Sequence, residues 1–490
     1  MIYPKLEEFK RLGSCAEMVP IFLEMEGDTE TPITLFKKLC SMKDSYLLES
    51  VEGGIKWGRY SYIGRKPFMK ITCHGQEVTV TRGKEHVLRR GKPLELVKSY
   101  MGGIKMTSAD NMPDFNGGAV GYISYDIIRD YEQLGQINRD DLHIPDIYLV
   151  FAEEVIVYDH AKQKIKIILN VAVSDNLEKD YQNGSERLYK IKEEVMSKTL
   201  SNKEEIKDFF QEVSYQSTET KESFMEKVDK AKEYIKNGDI FQVVLSQRLQ
   251  IKTDINPFDA YRSLRSLNPS PYLYYFDFGD YHVVGSSPEL LTKVKDGCIE
   301  TCPIAGTRPR GKDALEDEEH ARELLRDEKE LAEHLMLVDL ARNDIGKVSA
   351  FGTVEVNQFM DIQRYSHVMH IVSNVVGRLR EEYDMYDGLV ACLPAGTVSG
   401  APKVRAMEII DELEPRKRGL YAGAVGYFGF NGNMDMCIAI RTILFKEDTA
   451  YIQAGAGIVA DSEPEKEYEE TLRKAEALIQ TIYKAKERSK

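Results

Sequence analysis

Residues 303–311 read PIAGTRPRG and combine features that a ligand site needs. Pro303 and Pro309 stiffen the backbone, and Gly306 admits close approach of a bound group. Thr307 offers a hydroxyl, and Arg308 and Arg310 offer planar cations shaped for carboxylates. Taken alone, the segment is equally a surface turn with two solvated arginines. Carboxylates further on supply the complementary chemistry. Glu330 and Glu333 lie three apart in DEKELAEHLMLVDLARND, and Glu463, Glu467 and Glu470 stack at helical spacing near residue 470. Two acidic helix faces that converge could hold a hard cation such as Mg2+, which takes oxygen ligands and keeps waters for its substrate. Spacing alone leaves open two solvated faces.

Other residues point to an anionic ligand. Arg441 sits in the apolar run MCIAIRTILF, where an arginine needs a buried anion or a carboxylate partner. LPAGTVSGAPKVR, residues 393–405, carries Thr397 and Ser399 ahead of a helix after Pro402. IQAGAGIVADSE places Gly455 and Gly457 between a strand and a helix. Amides before a helix N-terminus suit anions, although both segments read equally as ordinary connections. His367 and His370 fall on opposite faces of a predicted strand, so one of them could enter a site while the other packs. No P-loop, dinucleotide fingerprint, zinc-peptidase motif or serine-hydrolase elbow occurs.

The elements that must position these residues follow from the pattern. Residues 1 to about 20 read as a helical lead-in, and 46–159 read mostly as strand. Residues 174 to about 220 turn polar, with Leu188, Ile191 and Val195 at helical spacing, and read as an exposed helix plus linker. From Lys221, strands and helices alternate. HVVGSSPELLTKV and MCIAIRTILF each read as one strand, and DEKELAEHLMLVDLARND as a helix with Leu331, Leu335 and Val338 inward. A last helix presents Leu472, Ala475, Ile479 and Ile482, opened by a capping box of Ser462 and Glu465. The division is 1–175, a 176–220 helical linker, and 221–490. The many antiparallel-looking strands predict an α+β fold.

Composition bounds the partners. The 490 residues carry a formal net charge of -14, which disfavours nucleic acid as the main partner but not a small anion at a locally basic site. Seven scattered cysteines with no C-x-x-C pair suit reduced thiols. The charged start MIYPKLEEFK lacks an apolar signal region, and no apolar run reaches eighteen residues. A cytoplasmic protein without a membrane partner is the expectation.

Ten segments in one order, from about Lys221 to Leu478, resemble the chorismate-utilising enzymes, and most closely their anthranilate synthase large-subunit branch. They include GDIFQVVLSQR, NPSPYLYY, GSSPELL, PIAGTRPRG, YSHVMHIVSNVVG, LPAGTVSGAPK and QAGAGIVADSEPEKEYEET. The resemblance implies large antiparallel β-sheets packed face to face, with helices outside. It implies a lyase that adds ammonia to chorismate, with loss of the ring 4-hydroxyl, and then eliminates pyruvate to give anthranilate for tryptophan biosynthesis. It implies Mg2+ held by Glu333 and Glu470, with Glu330 and Glu467 close by. Gly306, Thr307, Tyr421, Arg441, Gly455, Ala456 and Gly457 would hold the substrate's carboxylates. His370 would assist the elimination, Glu289 would be the acid at the departing hydroxyl, and Thr397 would position the ring.

YLLES, with Ser50, and residues Pro271, Tyr272 and Leu273 resemble the family's tryptophan-binding signature, which makes 1–175 a regulatory region with tryptophan as feedback inhibitor and 221–490 the catalytic one. Relatives that resemble aminodeoxychorismate synthase often carry Lys where this chain has Ala305, and isochorismate and salicylate synthases carry Lys where it has Gln242. Both differences favour ammonia as nucleophile. A G-x-C-x-G nucleophile is absent, so a separate glutamine amidotransferase subunit, and hence a hetero-oligomer, is implied. The alternatives are an aminodeoxychorismate synthase component I and a catalytically inactive tryptophan-binding sensor.

Overall fold

A computed structural model describes residues 1–50, 58–107, 111–135, 138–197, 214–365 and 368–488. Among these, 23 strands join into one continuous hydrogen-bonded network. The class is α+β, as expected. One apolar cluster is built from strands and loops alone, with Phe22, Tyr46 and Tyr148 packed among Tyr274, Phe276 and Val283. It is the inner layer between sheet faces. Two larger clusters press helices onto the outer faces.

The elements that position the candidate sites are labelled in chain order. The strands are β1 (Ser45–Glu49), β2 (Gln242–Lys252), β3 (Tyr272–Asp277), β4 (Tyr281–Ser287), β5 (Leu290–Lys295), β6 (Ile304–Pro309), β7 (Val368–Arg378), β8 (Met434–Ile438), β9 (Thr442–Lys446) and β10 (Thr449–Ile458). The helices are α1 (Glu328–Gly346) and α2 (Pro464–Arg488). Strand β1 pairs antiparallel with β3, and Gly118–Ile123 pairs with Ala424–Gly429, so residues before and after the polar segment share the sheet.

Several sequence expectations change here. The lead-in is helical only at Leu6–Gly13, and Met18–Glu26 is a strand paired with Lys164–Ala172. The polar segment holds a helix, Leu177–Ser197, whose stripe of Leu188, Ile191 and Val195 is fully buried rather than exposed. Of the rest of the proposed linker, 198–213 lies outside the described residues, as does His367, and 214–220 carries a short strand, Gln216–Ser217. On α1 the inward phase is His334, Val338, Ala341 and Ile345, whereas Leu335 is 47% exposed. On α2 the stripe stands, with Ala475, Ile479 and Ile482 buried. The capping box does not form. Ser462 Oγ accepts from Val459 N at 3.0 Å, and Glu465 pairs with Lys221.

The two runs expected as single strands are each broken, and the breaks face one another. Pro288 has no N–H to continue the first ladder, so β4 and β5 separate at Pro288 and Glu289. Arg441 adopts φ 51°, left-handed for a bulky residue, and separates β8 from β9. Strand β4 pairs with β9 and β5 with β8. Across the corner, Ile438 N donates to Glu289 O at 3.0 Å, and Ser286 N to Arg441 O at 3.1 Å. A sheet bent at this point turns Glu289 and Arg441 out of the ladder.

Candidate active site

The bend opens on a cavity of about 670 Å3 between α1, α2 and the ends of β6, β7 and β10. Glu289, Thr397, His370, Gly306, Thr307, Tyr421, Arg441, Gly455, Gly457, Glu333 and Glu470 all line it, with Glu330 and Glu467. Residues read from nine separate stretches of sequence thus share one space.

The carboxylates differ in environment. Burial raises the Glu333 carboxyl above its usual range, the Glu330 charge adds to the rise, and the Gln242 amide opposes it. Burial also raises Glu467, against the Ser462 hydroxyl. Glu330 leans on Arg308 at 3.3 Å, and Glu470 on Lys474 at 2.7 Å. Among the described residues no three acidic, histidine or cysteine side chains are already gathered around one point. The donor set nevertheless fits a hard divalent ion. It consists of carboxylate oxygens from two helices, two of them made costly to ionise by burial and by the neighbouring carboxylate on the same helix, Glu330 for Glu333 and Glu470 for Glu467, which a cation would relieve.

Glu289 is the most perturbed acid of the cavity. It is 9% exposed, and burial pushes its carboxyl to about 7, opposed by Thr397 and the Lys474 charge. The Thr397 hydroxyl is buried within reach of that charge and has no aligned hydrogen-bond partner among the described residues. Thr397 arrives on a 3-10 turn, Gly396–Val398, and not from the N-terminus of the following helix, Lys403–Leu413. Arg418 fixes this turn, donating to Val398 O and Val244 O, each at 2.7 Å.

Strands β6 and β7 pair with an irregularity between Ala305 and Thr307, where Gly306 takes φ 68°. A Cβ at Gly306 would stand 3.0 Å from Leu324 Cδ1 and 3.2 Å from Glu330 Oε2, so a side chain there would both strain the left-handed backbone and push these two neighbours aside. The bulge aims the Gly306 carbonyl at His370 Nδ1, 2.9 Å away, beside Thr307 Oγ1 at 3.1 Å. A carbonyl only accepts, so Nδ1 carries the proton and Nε2 is the basic nitrogen of the neutral ring.

Arg441 Nη1 donates to Lys474 O at 2.9 Å, and burial lowers its proton affinity. No carboxylate pairs with it among the described residues. A half-buried guanidinium with that gap wants an anion, as the sequence suggested. The arginines of PIAGTRPRG do not meet that need. Arg308 pairs with Asp327 at 2.7 Å and Arg310 with Asp317 at 2.6 Å, which ties β6 to its flanking helices.

The glycines 455 and 457 lie within β10, not in a loop before a helix. Val244 N donates to Ser399 O and Ser246 N to Glu414 Oε1, so both point away from β10. Their partners Gly457 and Gly455 therefore turn their own N–H and C=O groups toward the cavity edge. Ala456 is the exception. Alternation places its amide on Leu245, and its side chain is fully buried in an apolar cluster behind the strand. It supports the two glycines and offers no donor to a ligand.

Sequence reasoning assigned Lys474 no role. Its position four residues after Glu470 was the available signal.

A second cavity, about 550 Å3, lies along β1 and β3. Ser50, Pro271, Tyr272 and Leu273 all line it. Leu273 pairs with Glu49, so the two proposed inhibitor segments are neighbours across one ladder. Tyr60, Tyr62 and Tyr427 supply aromatic wall, and Asp435 accepts from the Tyr272 hydroxyl at 3.0 Å.

Comparison with known proteins gives the family and the fold. Residues 44–480 match the family model for chorismate binding enzyme. The chain is 53% identical to anthranilate synthase component 1 of Acetivibrio thermocellus, covering 99% of this chain and all of the relative. It is 49% identical to that of Aquifex aeolicus, covering 98% of each. Among solved structures it superposes on anthranilate synthase component I from Streptococcus pneumoniae with a TM-score of 0.78 at 39% identity, covering 93% of this chain and 98% of that one. The menaquinone-specific isochorismate synthase of Escherichia coli, at 18% identity and a TM-score of 0.72, shares the fold. Among the described residues no helix is long and apolar enough to cross a membrane.

Proposed function

This chain belongs to the chorismate-binding enzymes and makes anthranilate, and we infer that it does so in the cavity between α1 and α2, from chorismate and ammonia, releasing pyruvate and water. The observation that carries the site assignment is Glu289, an acid held near 7 in the same space as a basic His370 nitrogen and an Arg441 with no carboxylate partner among the described residues.

Arg441 and the outward amides of Gly455 and Gly457 bind carboxylate oxygens, and Tyr421 and Thr307 add hydroxyls. Glu289, protonated near neutrality, gives its proton to the departing 4-hydroxyl, which leaves as water while ammonia bonds to the ring. Thr397 steadies that acid and the ring edge. His370 Nε2 then takes the ring proton as the ring–oxygen bond of the enolpyruvyl ether breaks, and the departing enolate takes up a proton, matched by the one the added ammonia gives up, to become pyruvate. Glu333 and Glu470, with Glu330 and Glu467 beside them, would hold Mg2+, whose charge would grip the ring carboxylate that carboxylates alone would repel. Ala305 offers no amine to act as a nucleophile, which favours ammonia over a covalent lysine route.

The component 1 naming of the relatives supports a second component that supplies ammonia from glutamine. The second cavity, with its aromatic walls and Ser50, suits tryptophan as an inhibitor. We retain the division into a regulatory 1–175, a linking 176–220 and a catalytic 221–490, and a cytoplasmic setting, as parts of the same proposal.

One assay tests it. The purified chain is given chorismate and Mg2+ with either ammonium or glutamine, and anthranilate is followed by fluorescence. Turnover with ammonium and none with glutamine is expected. Glutamine-dependent turnover without a partner overturns the two-component reading, and no anthranilate with ammonium overturns the site.

A further inference from the structure

A third cavity, about 30 Å3, adjoins the catalytic one. Glu289, Thr397 and Leu337 line both, so they form the wall between them. Its other walls are α1, the turn Gly396–Val398 and Cys302, just ahead of β6. A water needs about 10–15 Å3 of such space and two to four polar partners. The chamber has that room, and three polar groups stand ready. The Glu289 carboxyl is 9% exposed. The Thr397 hydroxyl is buried with no aligned hydrogen-bond partner among the described residues. The Cys302 thiol, pushed up to about 12 by burial first and then by the Glu289 charge, keeps its proton as a weak donor. Two other polar side chains of the wall are already engaged. Thr301 donates to Leu291 O at 2.8 Å, and Asp344 pairs with Lys403 at 2.6 Å. The demand for a small polar guest is thus concentrated beside Glu289.

We propose that this chamber receives the water formed from the substrate's 4-hydroxyl and holds it against Glu289 while the aminated ring is bound. The proposal rests on the reading of Glu289 as the acid of that step. In amination the ring C–O bond breaks and its electron pair leaves with oxygen, which takes the Glu289 proton and becomes water. The lone pair of ammonia makes the new C–N bond, so an ammonium and a Glu289 carboxylate replace a neutral amine and a neutral acid. A carboxylate only accepts hydrogen bonds, and a buried one is costly unless donors lie within reach. Among the side chains of the shared wall, Thr397 offers one. The newborn water brings two O–H groups to the same place as the charge appears, and Cys302 adds a weaker S–H. The chamber thus supplies the solvation that a closed site denies its own acid. One consequence is readable. A water held there is kept from the bulk, so reversal of the amination returns the same oxygen to the ring.

The test follows two isotopes in the full-length chain carrying His370→Gln, which lacks the base for elimination and so lets chorismate, ammonium and the aminated intermediate equilibrate with Mg2+ present. Heavy-nitrogen ammonium and heavy-oxygen water are then added. Mass spectrometry reads nitrogen entering the intermediate and oxygen entering chorismate. Ammonia exchanges through the open cavity whereas the held water returns, so nitrogen exchange should outpace oxygen exchange about 5-fold or more, the worth of about one hydrogen bond. Cys302→Leu and Ala341→Val, each added to that chain, fill the chamber from different sides, and the ratio should fall to about one in both. Being a ratio, it is indifferent to how much of a variant is folded. A ratio of about one or less with the chamber unaltered, or a ratio that neither filling lowers, overturns the chamber alone. No aminated intermediate in His370→Gln, with neither isotope exchanged, overturns the reading of the acid and the base, and the proposal with it.

Discussion

Two cavities of similar size, about 670 and 550 Å3, open on the same sheet and differ in how their charges are settled. In the larger, burial raises Glu333 and Glu467, Glu289 sits near 7, and Arg441 has no carboxylate partner among the described residues. In the smaller, burial raises Asp435 too, but Tyr272 donates to it at 3.0 Å and Lys293 stands 3.6 Å away. Next to Ser50, Glu49 is wholly buried and satisfied by Tyr261 and by Arg265 at 3.1 Å. Unsettled charge, in the proposed reading, suits a cavity for ions and reacting groups. Settled charge, in the proposed reading, suits a cavity that would recognise a ligand by shape and aromatic surface.

The sharpest way to break that contrast is to neutralise one unsettled charge. Glu333→Gln keeps the shape of the side chain and removes a carboxylate donor. Turnover should fall about 1000-fold or more, on the scale of losing a transition-state electrostatic contact, while tryptophan affinity at the second cavity stays within about two-fold. Anthranilate fluorescence and titration calorimetry with tryptophan check the two halves. A parallel loss of tryptophan binding would mean the two cavities are not independent.

The converse change is smaller. Ser50→Leu fills the second cavity without adding charge. Tryptophan inhibition should weaken about 10- to 100-fold, consistent with loss of a hydrogen bond plus overpacking, and kcat should change by less than about two-fold. Inhibition curves at fixed chorismate decide it. An unshifted curve removes Ser50 from the inhibitor site, and a collapsed kcat shows that the cavity carries catalytic weight.

The sequence exposed the residue types more readily than the bends that aim them. The stripe on α2 was legible because Ala475, Ile479 and Ile482 recur at helical spacing. On α1 the phase was misread at Leu335, because a helix that presents Glu330, Glu333 and Leu337 to a cavity carries apolar residues on more than its core face. The breaks at Glu289 and Arg441 were invisible in runs of strand-forming residues, since only pairing between distant strands forms the corner. Arg308 and Arg310 have the chemistry of ligand cations, but Asp327 and Asp317 lie close enough to claim them first. Ala456 shares a motif with two site glycines and faces the other way because strands alternate.

The smallest effect is one of stability, and it sharpens the contrast most directly. Glu289 holds its proton up to about 7 when folded, against about 4.5 for an ordinary glutamate. The folded chain therefore binds more protons than the unfolded chain between those values. Its stabilising share is complete below about pH 4.5 and is lost as pH rises to about 7. Glu289→Gln removes the titration, so the variant should gain on the wild type across that window by at most about 3 kcal/mol, reckoned at about 1.4 kcal/mol per pH unit. Denaturant unfolding at pH 5 and pH 8 measures it. Asp435→Asn is the control from the other cavity. Its charge is already met by Tyr272 and Lys293, so its gain over the same window should be smaller. Equal gains in the two variants would mean that burial alone, and not the settling of charge, sets both acids apart.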